Sequence, residues 1–141
     1  MRVLALDYGS ARCGCAISDP TGTLVTPLGA VAKPDSQAGA EAFKRLIEQH
    51  APAELVVGLP LLESGKEGSQ ADAARAFAGR LRVATGMPVK LFDERFTTRM
   101  ARASIALGAA SDEDSLAAGH LLEAYLATGS AGAGEPTEAG A

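Results

Sequence analysis

Residues 2–32 carry three apolar segments joined by two turns too short to cross over a sheet, and this constrains the fold more than any other feature. Arg2-Val-Leu-Ala-Leu-Asp7 runs into Tyr8-Gly9-Ser10. Arg12 to Ser18 then alternates, with Cys13, Cys15 and Ile17 on one face, and ends at the turn Asp19-Pro-Thr-Gly22. Leu24 to Val31 is the third segment. Strands linked so tightly must be antiparallel neighbours. Pro27 cannot donate to a ladder, so it belongs at an edge or a bulge.

Past this point the hydrophobic period changes from two to 3.6. Pro34-Asp35-Ser36 opens a helix whose apolar stripe is Phe43, Leu46 and Ile47, and Pro52 ends it. Leu55-Val-Val-Gly-Leu59 is a continuous apolar run, the pattern of a strand buried on both faces, with Gly58 allowing a close backbone approach. Ser69 and Asp72 form the pattern of a capping box, ahead of a helix bearing Ala74, Phe77, Ala78 and Leu81. Val89 to Phe92 is the last strand, with Asp93-Glu-Arg95 at its end. A third helix is expected from Thr97 or Thr98 to Gly108. Asp112-Glu-Asp114 opens a fourth, in which Ala118, Leu121, Leu122 and Tyr125 repeat at helical spacing. The order βββαβαβαα predicts an α/β protein: a mixed five-stranded sheet with helices on both faces. Residues 1–128 make one domain, and the Gly/Ala-rich stretch 129–141 is expected to be a disordered tail.

Composition narrows the function classes. Hydrophobic residues make up 47% of the 141 and aromatics only 4%, so the core must be aliphatic. The net charge of −4 excludes a generically basic coat for nucleic acid, but not a site whose acids are neutralised by metal. No run approaches the ~18 apolar residues of a membrane span. Asp7 interrupts the N-terminal run too early for a signal peptide, and two cysteines are too few for a disulfide scaffold, so a cytoplasmic protein is expected. Cys13 and Cys15 read as small buried hydrophobes.

Three carboxylates stand at element ends rather than on solvated faces. Asp7 ends the first strand, Glu94 follows the last, and Asp114 begins the final helix. Each alone has a plain structural reading: a turn residue, a surface acid beside Arg95 or Arg99, and a helix N-cap. If the first, fourth and fifth strands run side by side, however, Asp7 and Glu94 share the carboxyl edge of the sheet, where open α/β sheets bind ligands. Converging carboxylates repel unless cations lie between them. Oxygen-only ligands suit Mg²⁺ or Mn²⁺, and two such ions roughly 4 Å apart can hydrolyse a phosphodiester. Arg12, Lys66 and Arg95 are the candidate phosphate contacts, with Arg99 and Arg102 on the same helical face as Arg95. His50 and His120 lack partner motifs and read as structural. Gly65-Lys-Glu-Gly68 lacks the order of a P-loop.

Several segments together carry a family resemblance. Leu4-Ala-Leu-Asp-Tyr-Gly-Ser-Ala-Arg-Cys-Gly-Cys-Ala-Ile-Ser-Asp19 resembles the opening of the YqgF/RuvX family. So do Val56-Val-Gly-Leu-Pro-Leu61, Glu67-Gly68 followed by Gln70, Asp93-Glu-Arg-Phe-Thr-Thr98 and Asp114-Ser-Leu-Ala-Ala118. The resemblance implies an RNase H-like fold with strand order 3-2-1-4-5 and a two-metal nuclease. Its acidic positions fall on Asp7, Glu94 and Asp114. It further implies processing of the 5′ end of pre-16S rRNA, with structured RNA or a pre-ribosomal particle as partner. Holliday-junction resolution on branched DNA by a homodimer is the family's alternative. This chain departs from the family at Ala11, where a basic residue is usual, at Cys13 and Cys15, and at the acidic run Ser111-Asp-Glu-Asp114. Those departures keep a non-catalytic RNA-binding assembly factor in view. An ATP-dependent phosphotransferase, which shares the Asp-x-Gly strand end, would need a second lobe.

Overall fold

The computed structural model describes residues 1–61, 64–94, 104–105 and 112–128. Among these residues six strands form one sheet: β1 (Val3–Asp7), β2 (Arg12–Ser18), β3 (Leu24–Ala32), β4 (Glu54–Leu59), β5 (Val89–Asp93) and β6 (Ser104–Ile105). Among the described residues three helices accompany them: α1 (Gln37–His50), α2 (Ser69–Thr85) and α3 (Glu113–Ala127). The sheet order is β5-β4-β1-β2-β3-β6. It contains the expected 3-2-1-4-5 arrangement, with β1–β2–β3 an antiparallel meander and β1, β4 and β5 parallel.

Pro27 sits at a bulge, as its missing N–H requires. Cys15 pairs with Gly29 and Ala16 with Pro27, leaving Leu28 as the extra residue. Two expectations need correction. Ser104 and Ile105, placed by periodicity in a third helix, instead pair with Leu24 and Val25 as a short parallel strand. The open edge of β3 offers unpaired backbone groups there, and pairing them outweighs a weak local helix signal. The remainder of that expected helix, and the expected tail 129–141, lie outside the described residues. Second, Ser69 is not a cap but the first helical residue; Gly68 is the N-cap, in extended conformation and without a side-chain cap.

The strands' two faces are unequal. One face buries Leu4, Leu6, Cys13, Cys15, Ile17, Leu55 and Val57 beneath α1 and α2, with Phe43 and Phe77 meeting edge to face at 5.5 Å. The other presents Val3, Ala5, Ala16, Val25, Val56 and Phe92 to α3, which contributes Leu121, Leu122 and Tyr125. Helices thus cover both faces. The α3 side is lined with small residues near the carboxyl ends of the strands. On β2, a Cβ at Gly14 would stand 1.9 Å from the carbonyl oxygen of Asp114, so α3 begins directly on the sheet.

Candidate active site

Alternation along the strands fixes which way the acids face. Val3 and Ala5 belong to the α3 face, so Asp7, two residues on, continues it. Val56 and Phe92 belong to the same face, which puts Gly58 and Glu94 on it as well. β4 lies between β1 and β5, so Glu94 must cross β4 to reach Asp7. Gly58 is the residue it crosses. A Cβ at that position would lie 2.2 Å from Glu94 Oε2 and 2.9 Å from its Cδ. The sequence reading that Gly58 admits a close approach holds, but the approaching group is a carboxyl side chain and not a backbone.

The result is a half-buried acid pair. Glu94 and Asp7 share a hydrogen bond, with the Glu94 carboxyl donating to the Asp7 carboxylate. Burial, the charge of Asp7 and that hydrogen bond push the Glu94 pKa up to about 7, with Asp93 adding repulsion. Burial also raises Asp7, and the charge of Asp114 raises it further, while the hydrogen bond from Glu94 works the other way. Two carboxyls on one proton are what like charges at close range produce.

Asp114 occupies the second position of α3. Its cap is Asp112, whose side chain accepts the Ser115 N–H at 2.8 Å while Ser115 Oγ accepts the Asp112 N–H at 2.9 Å. This reciprocal box displaces the N-cap reading of Asp114 and leaves its carboxylate for other work. That carboxylate meets Arg12, with Arg12 Nε donating to Asp114 Oδ2 at 2.7 Å. Among the described residues, no three His, Cys, Asp or Glu side chains are gathered tightly enough to make a ready metal cage. The donor chemistry nevertheless fits a hard divalent ion: Asp7 and Glu94 offer carboxylate oxygens in a partly desolvated spot, and Asp114 lies within reach of the field of Asp7.

A cleft of about 330 Å³ opens at this edge. Asp7, Tyr8, Gly9, Ser10 and Glu94 line one part of it, and Pro60, Ser69, Gln70 and Ala73 line the rest. Tyr8 is fixed there: its ring stacks on Phe77 at 4.6 Å, and its hydroxyl donates to Asp35 at 2.5 Å. Asp35 is in turn bound by Arg80. Sequence reasoning missed Ser69 and Gln70 as cleft residues. Two signals pointed that way: the Gly68 that precedes them, since a glycine cap leaves the first amides of a helix without a side-chain acceptor, and the place of Gln70 in the family resemblance. Lys66 is exposed on the loop closed by the Leu61–Glu67 bridge and does not line the cleft. Arg95, Arg99 and Arg102 lie outside the described residues.

The chain is similar to known proteins in sequence and in fold. The family described as "RuvX: Holliday junction resolvase" matches residues 1–128. A protein of Moorella thermoacetica named "Putative pre-16S rRNA nuclease" is 38% identical over 133 residues, covering 89% of this chain and 94% of that one. A protein of the same name from Streptomyces avermitilis is 47% identical over 98 residues, covering 69% of this chain; the match spans 63% of the Streptomyces protein. Among solved structures, Thermus thermophilus RuvC in complex with a Holliday junction substrate superposes with a TM-score of 0.64 at 17% identity, over 94% of this chain and 99% of that one. That likeness establishes the RNase H-like fold.

Proposed function

The chain belongs to the RuvX family, and from that premise we propose a divalent-metal-dependent nuclease of structured RNA whose substrate is the 5′ precursor end of small-subunit ribosomal RNA. Nuclease chemistry, the hydrolysis of phosphodiester bonds, follows from the family. The RNA substrate is carried over from the names of the Moorella and Streptomyces relatives.

The observation that carries the reading is the Asp7–Glu94 pair. Glu94 reaches Asp7 across the intervening strand over Gly58, where a Cβ would lie 2.2 Å from its carboxyl oxygen, and two like charges set together in a half-buried spot suit a cation between them. Asp7 and Glu94 would hold a divalent ion between them, with Asp114 completing the set. Such an ion, when bound, supplies activation of water and neutralisation of the phosphate's charge. Two ions would also bring the net charge from −4 to zero, easing the approach of a polyanion. The chain's own groups orient the substrate. No side chain caps α2, so its first amides, at Ser69 and Gln70, are left to meet a phosphate oxygen in the cleft. The anchored ring of Tyr8 gives the cleft a lining of fixed shape.

The test is cleavage of an end-labelled ribosomal RNA precursor by wild type and Asp7→Asn, with and without chelator. Wild type should cut only with Mg²⁺ or Mn²⁺. Asp7→Asn should lose at least about a hundredfold, the upper range for outer-shell partners alone. Equal and metal-independent cutting by both would reject the mechanism. The family's description favours a second reading, resolution of four-way DNA junctions. A two-fold symmetric junction needs two sites, so junction cleavage by a dimer, with RNA precursor left intact, would select it.

A further inference from the structure

The sequence marks Arg12 as a candidate phosphate contact and the proposed reaction turns Asp114 toward metal, yet in the structure the two side chains are paired with each other. The two residues are 102 positions apart in sequence, and Gly14 brings them together by letting α3 settle on β2 beside Arg12. The pair is open to solvent, with 63% of the Arg12 side chain and 38% of the Asp114 side chain exposed. The charges of Asp112 and Glu113 also bear on the guanidinium. This chain's acidic run before Asp114 therefore draws Arg12 toward the start of α3.

We propose that Arg12 is the resident counter-cation of Asp114, and that a divalent ion must displace it before the carboxylate can serve as a ligand. The inference rests on the metal-site reading above. It adds a positioning residue whose departure from Asp114 accompanies metal entry and frees a guanidinium at the mouth of the site. Exposed ion pairs are weak, so the exchange is cheap and reversible. Arg12 thus acts as a competitor for metal as long as Asp114 is present, and as nothing of the kind once Asp114 is neutral.

The experiment is a double-mutant cycle on the full chain, reading Mn²⁺ affinity by calorimetry without nucleic acid. Wild type, Arg12→Gln, Asp114→Asn and the double variant are compared, with Asp7→Asn beside them. Arg12→Gln should bind Mn²⁺ about two- to fivefold more tightly than wild type, matching the strength of an exposed pair. The same substitution in the Asp114→Asn background should change nothing. Arg12 is exposed enough that its loss leaves the fold intact, which circular dichroism verifies. A gain of equal size in both backgrounds would show an unspecific charge effect and overturn the proposal. So would an Arg12→Gln variant that binds Mn²⁺ no better than wild type while Asp7→Asn binds it more weakly, a result that leaves the metal site standing. If Asp7→Asn binds Mn²⁺ as well as wild type, the metal-site reading itself fails and takes the inference with it.

Discussion

Glu94 keeps its proton to about pH 7 in the folded protein, against 4.5 for an unperturbed glutamate. The unfolded chain therefore releases that proton first as pH rises. Stability is full below about 4.5, drains between 4.5 and 7, and stays low above, provided no cation is present. A glutamine at this position does not titrate. Glu94→Gln should unfold at a higher temperature than wild type at pH 8 in chelator, by about 2 kcal/mol, with the gap closing toward pH 4.5. Thermal melts across that range check it, and a gap that does not depend on pH would contradict the shared proton. The same scale explains what could be read beforehand. Asp7 and Glu94 were singled out because both close apolar strands that, set side by side, would share one edge of the sheet. Arg12 was read as a phosphate contact because nothing local tells of a partner at Asp114.

At the level of elements, α3 is the piece that brings chemistry to the sheet. Its seat depends on the absence of a side chain at Gly14, since a Cβ would come within 1.9 Å of one backbone atom of α3 and 2.4 Å of another. Backbone cannot swing aside as a long side chain can. Gly14→Ala should cost about 3 kcal/mol and pull Asp114 away from Arg12, seen as a lower midpoint in urea together with loss of activity. An unchanged midpoint would mean that α3 sits elsewhere. The meander, the first two helices and both crossover strands were legible, because their hydrophobic period and their turn residues agree. The start of α2 was misread by one residue, since Ser69 and Asp72 mimic a box that Gly68 forestalls. Ser104 and Ile105 were misread in kind, because the partner that makes them a strand is some eighty residues away at Leu24 and Val25.

For the whole molecule, topology does what spacing cannot. Asp7 and Glu94 meet only because β1, β4 and β5 run parallel, so that both acids leave the same edge of the sheet, and because Gly58 on the intervening β4 lets Glu94 across. The succession of elements pointed to a mixed sheet and the family resemblance supplied its strand order; the place of Ser69 and Gln70 in the cleft was not legible, since they enter from a different element. No helix among the described residues is long and apolar enough to cross a membrane. If the acids form a cation site only in the folded state, Mn²⁺ at a hundred times its dissociation constant should add about 2.7 kcal/mol. That corresponds to a rise in melting temperature of about 8 °C for a chain of this size. The rise should vanish in Asp7→Asn, and an equal rise in that variant would place the ion somewhere else.

Cys13 and Cys15 lie under α1 and α2 with 0% and 1% of their surface exposed. No reagent in water can meet those sulfurs until the two helices lift from the sheet. Alkylation by iodoacetamide therefore becomes a clock for that lifting, one that runs without any substrate. A cation that tightens the far face should slow it only if both faces open as a single unit.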